Sequence, residues 1–383
     1  MSMVYLDNAA TTPVAPEVVA AMMEVYQTVH GNPSSSHAVG RKAKALVETS
    51  RRRIAEHLNC PARSICFTSG GTEADNHALQ AAVSCLKVTR IITSQAEHSA
   101  VIKASQNAGE EGVEVVHVKH LPDGGVDLNH LEQLLSDSQA KTLVTLMHAN
   151  NEVGVILDIR KVGAMCKAHG ALFHSDTVQT MGHYAMDLSE LNIDFLACSA
   201  HKFHGPKGTG FLYTNPALRI EGMIVGGGQE RAMRGGTENV AGIVGLTKAF
   251  DEAFAHMAPH EAHIRGLKRR MVEGLKQRID GVEFNGHSDG EDRLYTVLNV
   301  KFPPHPNGGM ATFLLDLEGV ACSGGSACSS GATTGSHVLR ALGFHDETRA
   351  SVRFSFSRYT SESDIDSALE AVTKVFGVLE LAD

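Results

Sequence analysis

Residues 193–214 read IDFLACSAHKFHGPKGTGFLYT. Two apolar, β-rich runs, IDFLACS and GFLYT, flank a polar turn. Runs of that length bounded by glycine and proline predict buried strands. Lys202 stands in the turn between two histidines, just after the first run. A lysine there is off any solvated face and is aimed into a pocket. Outward from this stretch the same grammar repeats from about residue 65. ICFTS, RIITS, VEVVHV, TLVTLM and ALFHSD alternate with helix-like stretches such as TEADNHALQAAVSCL and IRKVGAMCKAHG. This alternation predicts an α/β fold whose sheet is mostly parallel, with helices on both faces. Such sheets bind ligands at the carboxyl ends of their strands, where Lys202 lies.

After about residue 240 a long helical stretch leads into a second region. There VEFNG, YTVLNVKF and SVRFSFS alternate with the helical GMATFLLDLEG and SESDIDSALEAVTKVFG. This predicts a smaller α+β domain. The expected division is a large domain over 15–250 and a small one from 1–14 with 251–383. No internal repeat, long linker or low-complexity tract interrupts the pattern.

Composition narrows the possibilities. The 383 residues suffice for one large core or two domains. A formal charge of −9 argues against a general nucleic-acid surface. The run Arg51-Arg52-Arg53 is expected on the solvated face of a helix. No stretch reaches the roughly 20 apolar residues that span a bilayer. The opening MSMVYLDNAATTP has an acid at position 7 and does not resemble a signal peptide. The seven cysteines are odd in number and form no CxxC pair. Neither a disulfide framework nor a zinc ribbon is expected, no metal site is read, and a reducing cytoplasm fits.

Two strand ends besides that of Lys202 carry chemistry. In FTSGGTEADN, residues 67–76, a strand meets a Gly-Gly turn and then a helix. Thr72 is expected to cap that helix, with Glu73 in its first turn. A helix N-terminus with free N–H groups is an anion cup, though a well-capped helix explains the same residues. The glycine spacing fits neither a phosphate-binding GxxxxGK[ST] loop nor a dinucleotide fingerprint. In FHSDTVQT, residues 173–180, Asp176 ends a strand expected to be buried. A buried carboxylate is costly unless a cation or donors meet it. It is either a structural acid bonded to backbone or the partner of a protonated ring nitrogen. A phosphate cup, an acid for a pyridinium and a strand-end lysine are together what pyridoxal 5'-phosphate requires, the lysine forming a Schiff base with its aldehyde.

YLDNAATTP (5–13), GNPSSSH (31–37), FTSGGTEADN (67–76), EHSAV (97–101), HANNEVG (148–154), HSDTVQ (174–179), SAHKFHGPKG (199–208), RGGTEN (234–239) and SGGSACSSG (323–331) occur in this order. They resemble the NifS/IscS-type cysteine desulfurases, fold-type I pyridoxal-phosphate enzymes of the class V aminotransferase superfamily. The resemblance runs nearly end to end. It implies a large domain built on a mostly parallel seven-stranded sheet. It also implies that Lys202 carries the cofactor, that Asp176 meets its ring nitrogen, and that Asn151 and Gln179 donate to its ring oxygen. His98 would stack on the ring as a catalytic imidazole. Gly71, Thr72, Ser199 and His201 would hold the phosphate. Thr237 would do so from the other subunit, which implies a homodimer. Arg353 and Asn32 would bind the substrate carboxylate.

Cys328 lies in ACSGGSACSSGATTGS. Glycine and serine dominate, which predicts a mobile, exposed loop over about 321–335. An exposed free thiol there is a poor core residue and a good carrier, and it needs activation to its thiolate. The resemblance is to the group with a long mobile loop, with Gly324 replacing a usual serine. It implies that Cys328 takes sulfur from L-cysteine as a persulfide, releases L-alanine, and passes the sulfur to an acceptor protein of iron–sulfur assembly or thiolation. The chain stops at LELAD, without the longer tail some relatives use to dock a scaffold, so docking of that kind is not expected. A selenocysteine lyase or an aminotransferase on the same fold is the alternative; an aminotransferase would not need Cys328. A non-catalytic paralogue would have lost the lysine, the acid or the thiol, and all three are present.

Overall fold

In the computed structural model, residues 3–137, 139–306, 308–324 and 335–377 are described. Every strand-like run between 65 and 214 becomes a strand of one seven-stranded sheet. Its order is Ile65–Thr68, Gly210–Thr214, Phe195–Ser199, Leu172–Asp176, Thr142–Thr145, Arg90–Thr93, Glu114–His117. Only Gly210–Thr214 runs against its neighbours. The central strands are apolar on both faces because helices cover both. Glu114–His117, at the edge, exposes both its ends. The core beneath is built from Phe67, Val144, Phe173, Leu196, Phe211 and Phe250, among others.

A second core is assembled from the other end of the chain. Ser351–Ser355, Val297–Lys301 and Glu283–Phe284 form an antiparallel sheet in that order. The helices Met257–Arg278 and Glu362–Phe376 bury Leu267, Met271 and Leu369 against Leu298, Phe302 and Phe354 of that sheet and its borders. Val4 and Leu6 belong to this core rather than to the first. The short strand Val4–Tyr5 pairs in parallel with Val320–Ala321. The N-terminus thus starts in the second core and then crosses to the carboxyl edge of the large sheet. On the way Asn8 Nδ2 donates to the Ser355 carbonyl at 2.9 Å, and Thr12 N–H donates to the His201 carbonyl at 2.9 Å.

One expectation is corrected. Arg51 is not on a solvated face: it is 2% exposed. On the helix Ala38–His57 it follows Val47 and precedes Ile54 and Ala55, so the helical period turns it inward with them. Its guanidinium donates to both Glu230 oxygens at 2.7 Å and to the Ile65 carbonyl at 2.7 Å. A buried charge is tolerated on such a bidentate partner. Arg53, two positions on, is exposed as expected.

The antiparallel strand leaves no space at its first residue. A Cβ on Gly210 would lie 2.2 Å from the Cys198 carbonyl oxygen and 2.8 Å from Gly70 Cα. Both obstacles are backbone and cannot rotate away. Gly210→Ala is therefore expected to lower stability by about 1–3 kcal/mol, as overpacked cores do, read as a lower urea midpoint at unchanged slope.

Candidate active site

Five strand ends of the large sheet converge on one cavity of about 200 Å³. Its lining includes Gly71, Thr72, His98, Asn151, Asp176, Gln179, Ser199, His201, Lys202 and Arg353. Ten of the sequence-derived site residues therefore meet in one place, although they span the chain from 71 to 353.

Lys202 closes a short 3₁₀ turn directly after the strand Phe195–Ser199. Its Nζ donates to the carbonyls of Ala9 and Ala10 at 2.5 and 2.9 Å. The segment that carries these carbonyls is also held by Gln179 Nε2, which donates to the Ala9 carbonyl at 3.1 Å. Asp176, 7% exposed, accepts from the Val178 N–H at 2.8 Å. Burial raises its carboxyl above the usual range, opposed by His98, that N–H and Lys202. His98 caps the helix Ser99–Glu110, its Nδ1 accepting from the Ala100 N–H at 3.2 Å. Burial lowers its imidazole, and Asp176 opposes that.

The anion cup forms, though not with the expected cap. The helix Gly71–Ser84 begins after Gly70, whose φ of 150° suits glycine, and no side chain caps it. Glu73 reaches back to accept from the Ser69 N–H at 2.8 Å and also pairs with Arg234. Thr72 sits inside the first turn and lines the cavity instead. Ser199 and His201 face the same end. Burial lowers His201 to about 4, so its ring is a neutral hydrogen-bonding group beside Thr11.

Arg353 is the deepest cation. It is 1% exposed and pairs with Asp7 at 2.9 Å, the Asn151 carbonyl at 2.9 Å and Ser323 Oγ at 3.2 Å. Its Nε has no hydrogen-bond partner among the described residues. An unpartnered buried guanidinium N–H is a ready donor to a carboxylate.

Three expected residues are not in this lining. Asn32 is exposed, its side chain accepting from the Ser34 N–H at 2.9 Å. Thr237 is exposed and lines a separate cavity of about 180 Å³ with Arg234 and Glu238. Cys328 lies outside the described residues. Cys322, six positions earlier, packs against the second core, and burial pushes its thiol up to about 12. His204 is a satisfied core residue, its Nδ1 2.9 Å from the Pro13 carbonyl. Sequence reasoning missed the carbonyls of Ala9 and Ala10, the Asp7 partner of Arg353, and Asp75, which also lines the cavity. The YLDNAATTP motif held the first three; what it touches across the chain was not legible from it.

A model of the class-V aminotransferases matches residues 4–368. A cysteine desulfurase IscS of Salmonella schwarzengrund is 42% identical over 384 residues, covering 98% of this chain and 93% of the relative. Among solved structures, a NifS-like protein superposes with a TM-score of 0.89 at 34% identity, covering 97% of this chain and 99% of its own. One from Rickettsia africae gives 0.87 at 32% identity, covering 98% and 99%. The chain belongs to the class-V aminotransferases, with the cysteine desulfurases among them. It is a pyridoxal-phosphate enzyme.

The cavity suits that cofactor on its own terms. An open helix N-terminus with Thr72, Ser199 and His201 offers N–H and hydroxyl donors to a phosphate. Asp176 is a buried acid whose anion His98, the Val178 N–H and Lys202 favour, as a protonated ring nitrogen would require. Lys202 supplies the amine between them.

Several histidines around the site are wholly or partly buried and neutral. Burial holds His148 and His183 at about 4 and His174 and His204 at about 3. An unfolded histidine takes up its proton near pH 6.5. Below that pH the unfolded chain binds more protons than the folded one, so stability falls with pH down to the folded values. The loss is expected to reach about 1 kcal/mol per histidine by pH 5.5, read as a falling urea midpoint between pH 7 and 5.5.

Proposed function

We propose that the chain removes sulfur from L-cysteine, releasing L-alanine and leaving a persulfide on Cys328. The carrying observation is the convergence of Lys202, Asp176, His98 and Arg353 on one cavity in a chain of this family. A solved relative titled SspA in complex with cysteine, at a TM-score of 0.81 and 29% identity over 93% of this chain, supports the substrate.

Each residue has work that its position supports. Thr72, Ser199, His201 and the N–H groups from Gly71 would hold the phosphate. Asp176 would hold the ring nitrogen protonated, with Asn151, Gln179 and His98 about the ring. Bound pyridoxal phosphate withdraws electrons from the substrate's Cα and so weakens its Cα–H and Cβ–S bonds. Arg353 Nε orients the substrate carboxylate, held in place by Asp7. Lys202 Nζ takes the Cα proton and returns one on the way to alanine. The Cys328 thiolate attacks the substrate sulfur, and the Cβ–S electron pair passes to the departing alanine skeleton. Cys328 then bears the sulfur as a persulfide for transfer to an acceptor protein. Cys322 is unsuited to this task, because a thiol held near 12 is almost wholly protonated at neutral pH.

The large domain over 15–250, the small one from 1–14 with 251–383, and a cytoplasmic location belong to this reading. So does a homodimer. Thr237 is exposed and away from the Lys202 cavity, which supports its use by a second copy. Val19, Met23 and Tyr26 form an exposed apolar stripe on the helix Pro16–Thr28 that a second copy would cover. Light scattering is expected to give a dimer; a fully active monomer at the same concentration would refute it.

The decisive test is Cys328→Ser. It is expected to keep the bound cofactor's absorbance and to lose alanine production from L-cysteine, because a hydroxyl is a poor sulfur acceptor. Wild-type protein treated with L-cysteine is expected to gain about 32 Da, one sulfur on a thiolate nucleophile, on the peptide of Cys328. Cys322→Ser is expected to stay active. Normal turnover of L-cysteine by Cys328→Ser, or sulfur mapped to Cys322, would leave a lyase or aminotransferase reading in its place.

A further inference from the structure

Asp75 has no part in the chemistry above, yet it sits at the centre of the site. It lies on the helix Gly71–Ser84, three residues past Thr72, and is 1% exposed while lining the Lys202 cavity. One oxygen of Asp75, one of Asp176 and one ring nitrogen of His98 all lie within 4.8 Å of one another. Its Oδ1 is 3.4 Å from His174 Nε2, and neither atom has a hydrogen-bond partner among the described residues. The other ring nitrogen of His174, Nδ1, lies 2.8 Å from Thr145 Oγ1.

Two carboxyl groups this close in a dry site cannot both be charged without a large cost. The surroundings decide which one ionises. Asp176 has the Val178 N–H, His98 and Lys202 to favour its anion. Asp75 faces burial, Asp176 and Glu97, and each of these raises its carboxyl. Glu97 is itself 1% exposed, bonded to the Met147 N–H, and brings no cation. His174, 3.4 Å away, is held neutral by its burial.

We propose that Asp75 is a positioning residue: a neutral, proton-bearing acid behind Asp176 that keeps the carboxyl pair at one negative charge. The single anion is then Asp176, which faces the cofactor. This rests on the reading that Asp176 meets the ring nitrogen. Its consequence is a reserve. When Asp176 cannot ionise, the like charge that adds to burial in holding Asp75 neutral is gone, and Asp75 is the carboxyl left to take the pocket's negative charge.

The test is a double-mutant cycle on the holoenzyme. Its readouts are the cofactor dissociation constant and the pH midpoint of the cofactor's visible absorbance. Asp176→Asn alone is expected to weaken binding and shift that midpoint; if it does neither, the ring-nitrogen reading of Asp176 fails. Asp75→Asn is expected to loosen the cofactor less than about threefold with Asp176 present, and at least tenfold on top of Asp176→Asn. The ratio of these two effects, at least about threefold, corresponds to at least about 0.7 kcal/mol of coupling between the two sites. Equal effects in both backgrounds, as a merely structural residue would give, overturn the proposal. So does a tenfold loss from Asp75→Asn alone, which would make Asp75 the working anion. A measurement on unmutated holoenzyme stands beside the cycle. With ¹³C-labelled aspartate, infrared spectra at pH 7 are expected to show a protonated aspartyl carboxyl, and its absence refutes the neutral acid.

Discussion

The ammonium of Lys202 against the carbonyls of Ala9 and Ala10 is the contact on which the architecture turns. A lysine at the end of a buried strand needs acceptors. Residues 7–13 bring them from outside the sheet. That segment begins in the second core, anchored by Val4 and Leu6, and ends bonded to the turn that holds Lys202. The reactive amine is thereby set by both cores at once. The carbonyls are acceptors for an ammonium and weaker partners for an amine committed to another bond, so on the proposed role of Lys202 the same contact would yield when the nitrogen bonds the cofactor.

Arg353 repeats this logic from the other side. Its strand belongs to the small antiparallel sheet, yet its guanidinium ends at Asp7, at Ser323 and at the Asn151 carbonyl, which follows a strand of the large sheet. Three chain segments far apart in sequence share one buried cation. A buried arginine with several partners is rigid, and a rigid fork with one N–H left over is suited to a planar carboxylate. Ser323 places the start of the cysteine-bearing segment on the same cation. In the proposed reaction, the substrate carboxylate and the segment leading to Cys328 would share that side chain.

The site also shows how burial sorts acids and bases. Asp75, Glu97 and Asp176 are all deep in the protein, with few cations between them. Glu97 has the Met147 N–H, while Asp176 has the Val178 N–H, His98 and Lys202 to favour a charge. The histidines around it are pushed to the neutral side by the same dryness. A pocket that keeps most of its titratable groups uncharged leaves the remaining charges with stronger reach.

Much of this was legible in the chain. The seven strands, the mostly parallel sheet and the positions of Lys202 and Asp176 at strand ends follow from apolar runs punctuated by turn residues, because strand burial and turn geometry are local demands; His98 was named by the family motifs. The family motifs carried the cofactor and the reaction. Other features were decided only by tertiary contact. Arg51 turned inward because its helix packed that face, and Glu230, 179 positions away, arrived to meet it. Thr72 lost the expected cap because Gly70 shaped the turn and Glu73 reached Ser69 first. Asp75 reads in sequence as one more polar residue of a helix; only packing placed it behind Asp176. Local sequence determined which residues could end strands and carry chemistry. Which of them share a charge, a proton or a cation was settled by segments that meet only after folding, since electrostatic coupling depends on distance and dryness, and neither is written in the order of residues.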